Sequence, residues 1–357
     1  MDTQTRRIRS PYDIKVLTIL LNQICNFSCA YCYSAKGRSK AVASLEAIKA
    51  VLDFYITRDR GDYLQIVFSG GGDPLLSFDK FKAAVEYAES LARQEGVRLD
   101  VGVVTNGSLL DEKTIDYLKT SDIGLVVSFD ILKDVHNAQR SHYDTVASTI
   151  DDLFKAGMSI GIRSTITPLN VGRQKEMVEE LHERFPQASC VAFEAVINEQ
   201  QFPDVSSLRK FYDTFVENFF LARERGRELG IEVGNTEYMN AFISQERSCL
   251  GKFVLTPEEK LTACSRISSS SEDHHDAFVY GEVKDGKVCV DDARYREIME
   301  EATAYNEECL ECPARWNCGG GCLLARKSYS REYFKEHCRF ICKMTERALK
   351  EDCHELV

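Results

Sequence analysis

The chain has 357 residues, 44% of them hydrophobic and 28% charged, so it is long enough for two ordinary domains and apolar enough to pack as a globule. Its formal net charge of −11 excludes a general grip on nucleic acid, which needs clustered Lys and Arg to displace counterions. Its 14 cysteines do not imply a disulfide scaffold, because a core of this size does not need one and their spacings read as ligand sets.

The first predicted strand, residues 15–21, is too short to cross a bilayer. A few arginines precede it, but no small-residue cleavage site follows, so the reading is a cytoplasmic protein without a membrane segment. Directly after the strand comes Cys25-Asn26-Phe27-Ser28-Cys29-Ala30-Tyr31-Cys32, a C-x3-C-x2-C spacing. Three thiolates on one short loop can hold three irons of a [4Fe–4S] cluster, which normally takes four Cys ligands. One iron is then open to bind something else. A structural zinc site would want a fourth N or S donor, and no such residue stands nearby.

This stretch resembles the cluster loop of radical S-adenosylmethionine (SAM) enzymes, including the aromatic Tyr31 before the third cysteine. The resemblance implies that the amino and carboxylate groups of methionine chelate the open iron. An electron from the cluster then cleaves SAM to a 5′-deoxyadenosyl radical, which takes a hydrogen from the substrate.

Further strands are predicted at 64–69, 99–104, 124–129, 159–166 and 190–197, all short apolar runs of the kind buried in parallel sheets. Helical patterns lie between them. Leu45, Ile48, Val51, Leu52 and Tyr55 share a face behind a Ser44 cap, and Phe78, Phe81, Val85, Ala88 and Leu91 do so behind Ser77. Right-handed β-α repeats imply a barrel-like parallel sheet, which the family resemblance narrows to a (β/α)6 partial TIM barrel of the α/β class. Its chemistry then belongs at the C-terminal ends of the strands.

Ser69-Gly70-Gly71-Gly72-Asp73-Pro74 follows the second strand. It resembles the family's G-G-E-P motif, which implies that Gly71, Gly72 and Asp73 receive the SAM amino group, with Asp73 shorter than the usual Glu. The fourth strand ends in Ser128-Phe129-Asp130, and similarity to related enzymes makes Ser128 a candidate for SAM's ribose and carboxylate, with Asp130 and Asn106 equally suited to turns. Arg163 lies inside the apolar fifth strand, where a charge is costly unless paired, so it is expected to bind SAM's carboxylate or a structural carboxylate. Glu194 invites the same argument. His136 and Arg140 stand in a segment similar to H-D-x-x-R of peptide-modifying relatives and read as structural or substrate-facing. His274 and His275 read as solvated.

A long helix is expected from Val205 to Leu229, and the pattern changes near 235–245, dividing residues 1–240 from a small Cys-rich domain of residues 241–357. There Cys309-x2-Cys312-x5-Cys318-x3-Cys322 is followed by Cys338 and Cys342, and preceded by Cys249 and Cys264. This resembles the SPASM extension of radical SAM proteins, which carries auxiliary iron–sulfur clusters; one or two zinc sites are the alternative. By that analogy Cys309, Cys312, Cys318 and one of Cys338 or Cys342 hold an outer cluster, and Cys249, Cys264 and Cys322 an inner one of unidentified fourth ligand. Cys190, Cys289 and Cys353 belong to no motif. Ser265 follows Cys264, where anaerobic sulfatase maturases, of the same architecture, carry a basic Asp.

The expectation is therefore a radical SAM oxidoreductase that modifies a ribosomally made peptide or protein, forming a thioether or carbon–carbon crosslink by hydrogen abstraction and net oxidation. A formylglycine-forming sulfatase maturase and a non-catalytic peptide-binding or electron-relay protein are the alternatives. An electron donor of the flavodoxin or ferredoxin type is implied. The cluster loop begins within 25 residues of the first residue given, so recognition is expected from the barrel, the C-terminal region or a separate leader-binding protein.

Overall fold

The structure is a computed structural model describing residues 10–245, 247–249, 251–304 and 307–352; Cys353 lies outside them. The first half alternates strand and helix: β1 (Val16–Ile19), α1 (Leu45–Tyr55), β2 (Tyr63–Phe68), α2 (Phe78–Glu95), β3 (Arg98–Thr105), α3 (Glu112–Thr120), β4 (Gly124–Ser128), α4 (Lys133–Gln139), α5 (Tyr143–Lys155), β5 (Ile160–Ile166), α6 (Gln174–Arg184) and β6 (Cys190–Ala195). The sequence periodicity explains most of this. Ser44 Oγ accepts the Ala47 N–H, and α1 then buries Ala47, Ile48, Val51, Leu52 and Tyr55. Gly96 ends α2 in the left-handed region at φ 66°. Ser77 makes no cap bond; Asp73 caps the turn before α2 instead, through the Leu75 N–H.

Strands β1 to β6 pair in order and in parallel, as the partial barrel requires. Their residues alternate between two environments. Ile160, Ile162, Ser164 and Ile166 of β5 are buried, whereas Gly161 and Thr165 are half-buried and Arg163 is exposed. The first set packs toward the helices, and the second faces the inside of the curved sheet.

The chain continues through α7 (Val205–Leu229), β7 (Glu232–Gly234), α8 (Thr236–Asn240), β8 (Phe253–Leu255), β9 (Lys260–Thr262), α9 (His275–Phe278), β10 (Val279–Lys284), β11 (Lys287–Val290), α10 (Asp292–Thr303), α11 (Arg315–Cys318), α12 (Leu323–Ser328) and α13 (Arg331–Asp352). Helix α7 has the predicted limits. Asp204 and Ser207 form its capping box, and Gly230 ends it at φ 74°. The C-terminal strands are better formed than their sequence suggests. Strand β8 pairs in parallel with β1, and β9, β10 and β11 follow it antiparallel, giving one 11-stranded sheet. The change of pattern near 235–245 thus falls within a continuous sheet. Helix α13 returns across α7, where Tyr212 stacks on Phe340 at 4.4 Å, so the second half is anchored to the first. No helix among the described residues is long and apolar enough to cross a membrane.

Candidate active site

The loop carrying Cys25, Cys29 and Cys32 leaves the C-terminal end of β1 and is held by backbone bonds. Gly72 N–H donates to Asn22 O at 2.7 Å and Asp73 N–H to Ile24 O at 2.8 Å, so the glycine-rich loop after β2 is zipped to the approach to Cys25. A Cβ at Gly72 would come within 1.8 Å of Ile24 O, which is why glycine stands there. Further on, Ala30 N–H donates to Gln139 O at 2.9 Å and Cys32 N–H to Cys29 O at 3.1 Å.

Tyr31 and Arg140 brace the loop from the β4 side. Tyr31 Oη donates to Asp130 Oδ2 at 2.8 Å and accepts from Arg140 Nη1 at 2.8 Å. Asp130 is fully buried and also accepts from Gln139 Nε2, Ser164 Oγ and the Thr165 N–H. Its own N–H donates to His136 Nδ1 at 3.2 Å. The His136 and Arg140 segment is therefore structural. Burial opposes the charge on Arg140, but Tyr31 and Asp130 outweigh it and hold the guanidinium above its ordinary pKa. The same burial pushes His136 down to about 4 and the Tyr31 hydroxyl well above its usual range.

Asp73 is buried and its carboxylate is occupied. It accepts from Leu75 N–H at 3.0 Å, Thr105 Oγ1 at 2.9 Å and Asn106 N–H at 2.7 Å. The side chain thus ties β2 to the tip of β3, and any contact to a ligand amine must share these oxygens. Asn106 in turn donates to Asn26 Oδ1 at 2.9 Å within the cysteine loop and approaches Cys25 Sγ at 3.9 Å.

Ser128 and Arg163 are register partners on the inner face of the sheet. Among the described residues the Arg163 side chain has no hydrogen bond or ion pair, so the carboxylate partner expected of a structural charge is missing. Glu194, diagonal to it on β6, instead accepts from Thr236 Oγ1 at 2.7 Å.

The C-terminal cysteines separate into two groups. Cys249, Cys264 and Cys322 act on one another electrostatically, with Cys264 pushed up to about 12, chiefly by burial. Cys309, Cys312, Cys318, Cys338 and Cys342 line one cavity of about 400 Å³, and Cys312 and Cys342 approach to 3.3 Å. Burial holds Cys338 and Cys342 at about 12. Gly319 and its neighbours turn the chain between the groups; a Cβ at Gly319 would lie 2.4 Å from the Arg247 backbone. Cys190 Sγ lies 3.9 Å from Ile160 O, and Cys289 is exposed, away from either group.

These donor sets suit iron–sulfur clusters. Thiols are the ligands such clusters take, and each set has loops that bring its cysteines together. Among the described residues no three His, Cys, Asp or Glu converge on a single metal-ion position. A cubane spreads its thiolates over separate irons and does not require such convergence. Burial raises the pKa of Cys29, Cys32, Cys249, Cys264, Cys318, Cys338 and Cys342, so loading the metal must expel protons from these thiols.

Spacing alone did not reveal the residues that join the two halves. Tyr33 stands beside Cys32 and within electrostatic reach of Cys264, with Arg266 5.0 Å above its ring. A Cβ at Gly70 would meet both Tyr33 Oη and Ser265 O, so Ser265 overhangs the glycine-rich loop. Lys252 Nζ donates to Ser265 Oγ at 3.0 Å. Adjacency to cysteine was the only sequence signal for these residues.

A curved parallel sheet with a three-cysteine loop at the C-terminal end of its first strand defines the class. Residues 19–185 match the family described as the radical SAM superfamily, and this segment is a radical SAM domain. The chain is similar to the radical SAM cyclopropyl synthase TigE of Paramaledivibacter caminithermalis, at 25% identity over 163 residues, 41% of this chain and 34% of that protein. The matches span 58% of the length of protein MJ0907 of Methanocaldococcus jannaschii and 34% of TigE, so the likeness covers only part of each. In fold it is similar to anSMEcpe with bound AdoMet and Cp18Cys peptide, at TM-score 0.74 and 19% identity, covering 94% of this chain and 98% of that one. It is also similar to Streptococcus suis SuiB bound to precursor peptide SuiA, at TM-score 0.60 and 17% identity, covering 89% and 74%.

Proposed function

We propose that this protein is a radical SAM enzyme that oxidises a peptide or protein substrate. The observation that carries the reading is that Tyr33, next to Cys32, and Ser265, next to Cys264, both abut Gly70 of the glycine-rich loop, so the segment of the C-terminal thiols reaches the loop beside the first cysteine set. A cluster held by Cys25, Cys29 and Cys32 would bind SAM at its open iron and supply the electron that cleaves it to the 5′-deoxyadenosyl radical. The chain's own groups then position the reactants. Ser128 and Arg163 offer a hydroxyl and an unpaired cation to the methionine carboxylate, and the backbone at Gly71 and Gly72 lies beside the loop to receive its amine. Asp73 acts through the strand tips it locks.

The C-terminal thiol sets would hold auxiliary clusters, which would supply an acceptor for the electron left on a substrate radical and so favour net oxidation. Cys249, Cys264 and Cys322 would hold the inner cluster, and Cys309, Cys312, Cys318 and one of Cys338 or Cys342 the outer one. SuiB is seen bound to its precursor peptide SuiA and anSMEcpe to the Cp18Cys peptide, which supports a peptide here. Ser265 next to Lys252 places no carboxylate base beside Cys264, which favours crosslink formation over formylglycine formation.

The deciding experiment is anaerobic co-expression with a short precursor peptide encoded nearby, followed by high-resolution mass spectrometry. A mass lower by about 2 units per crosslink, with formation of 5′-deoxyadenosine, is expected from the loss of two hydrogens. An unmodified precursor together with formylglycine on a sulfatase peptide would establish the maturase reading instead.

A further inference from the structure

We propose that Arg38 sets the reduction potential of the SAM-binding cluster, an inference that rests on Cys25, Cys29 and Cys32 being its ligands. Arg38 Nη2 lies 3.3 Å from Cys32 Sγ. Its Nη1 is buried without a hydrogen-bond partner. Among the described residues it has no carboxylate at ion-pair distance. The acid that acts on it electrostatically is Asp73, whose oxygens already take Leu75, Thr105 and Asn106. A half-buried guanidinium without a carboxylate is costly unless something negative faces it.

The loop aims the side chain deliberately at the sulfur. Successive turns, with Ala35 N–H on Cys32 O at 3.2 Å, Gly37 N–H on Ser34 O at 3.1 Å and Arg38 N–H on Ala35 O at 3.4 Å, fold residue 38 back onto residue 32. Gly37 sits against Glu272, where an added Cβ would fall 2.7 Å from Oε1. Glu272 in turn accepts from Ser268 Oγ and from the Ser268 and Ser269 N–H groups. The turn that carries Arg38 is therefore packed against the segment of residues 268–272.

A cubane bound by thiolates is negatively charged, and reduction adds one more electron. A fixed cation and N–H donors at a ligand sulfur stabilise the reduced state more than the oxidised one, which raises the potential. Arginine suits the role because one N–H of its planar fork reaches Cys32 Sγ while the other, on Nη1, has no hydrogen-bond partner among the described residues. Arg38 is thus a positioning residue that eases reduction of the cluster by the cell's reductant, at the cost of driving force for the onward transfer to SAM.

The test is an EPR-monitored redox titration of the reconstituted full-length protein with SAM present. The signal followed is the one that SAM perturbs, which separates this cluster from those of the C-terminal thiols. Relative to wild type, Arg38→Met is expected to move the midpoint to more negative potential, with Arg38→Lys in between because it keeps the charge and loses the fork. Full iron content and wild-type midpoints in both variants would overturn the proposal. Loss of the SAM-sensitive signal from both, with the other iron retained, would also overturn it and assign Arg38 to assembly. Absence of a SAM-sensitive signal from the wild type would instead remove the cluster assignment itself.

Discussion

Ser128 and Arg163 stand directly opposite each other on β4 and β5, both on the inner face of the sheet. Arg163 is exposed and has no partner among the described residues, so a charge that would normally be paired is held open. Arg163→Met should lower SAM affinity roughly 10- to 100-fold, the worth of about 1.5–3 kcal/mol for a hydrogen bond to a charged group. Unfolding of the metal-free variant should stay within about 0.5 kcal/mol of wild type, because no internal bond is lost. Calorimetric titration of SAM into reconstituted protein checks the first statement and urea unfolding the second. Unchanged SAM affinity would move Arg163 to the substrate.

Tyr31→Phe removes the hydroxyl that joins Arg140 to Asp130. Both partners are buried, so the variant should lose about 1–3 kcal/mol of stability in the metal-free state. Equilibrium urea unfolding measures the loss. No change would mean that solvent replaces the hydroxyl and that the loop is looser than its hydrogen bonds indicate.

Asp73→Glu inserts a methylene into a buried site whose hydrogen bonds are already made at 2.7–3.0 Å. Although glutamate is usual in similar motifs, the variant should be less stable by about 1–3 kcal/mol because the strand tips must separate to fit it. Thermal unfolding of wild type and variant side by side gives the answer. A more stable variant would show that the pocket was shaped for the longer acid.

His136 and His337 are both buried and both pushed down to about 4, chiefly by burial. Each is neutral in the fold below pH 6.5, where the unfolded chain takes up a proton. The unfolded state therefore binds more protons between about pH 4 and 6.5, and stability rises with pH across that window. The two histidines should contribute about 2.7 kcal/mol per pH unit where both titrate, offset in part by Glu237, which burial pushes up to about 7 and which therefore keeps its proton in the fold over the same window. Urea unfolding of the metal-free protein at several pH values measures the net slope, and His337→Phe should lower it by about 1.4 kcal/mol per pH unit. A flat profile from pH 5 to 6.5 would refute the burial argument.

Changing Cys25, Cys29 and Cys32 together to Ala should abolish formation of 5′-deoxyadenosine while the C-terminal iron remains. Changing Cys249, Cys264 and Cys322 should remove a different share of the iron and leave SAM binding in place. The two sets come from separate segments of chain, so they should load independently. Iron and sulfide analysis after anaerobic reconstitution decides between them. Stoichiometric zinc in the C-terminal region would rule out auxiliary clusters.

The sequence by itself determined the elements whose causes are local. Short apolar runs and helical hydrophobic patterns placed β2 to β6 and α7, with ends matching to within one or two residues, because neighbouring side chains decide what each segment can bury. Cysteine spacing marked the candidate ligands for the same reason, since a short loop brings its own thiols together. Tertiary structure decided what depends on residues far apart in the chain. The attachment of β8 to β1 and the anchoring of α13 on α7 are long-range pairings with no local signal. Asp73 and Asp130 could be read as ligand contacts in the sequence, yet folding surrounded both with donors from other strands and made them braces. Arg38 carried no motif at all, and its aim at Cys32 comes from a turn clamped by Glu272 more than 200 residues away. A side chain's chemistry is written in its type, but its role is set by which partners the packed fold leaves within hydrogen-bonding distance.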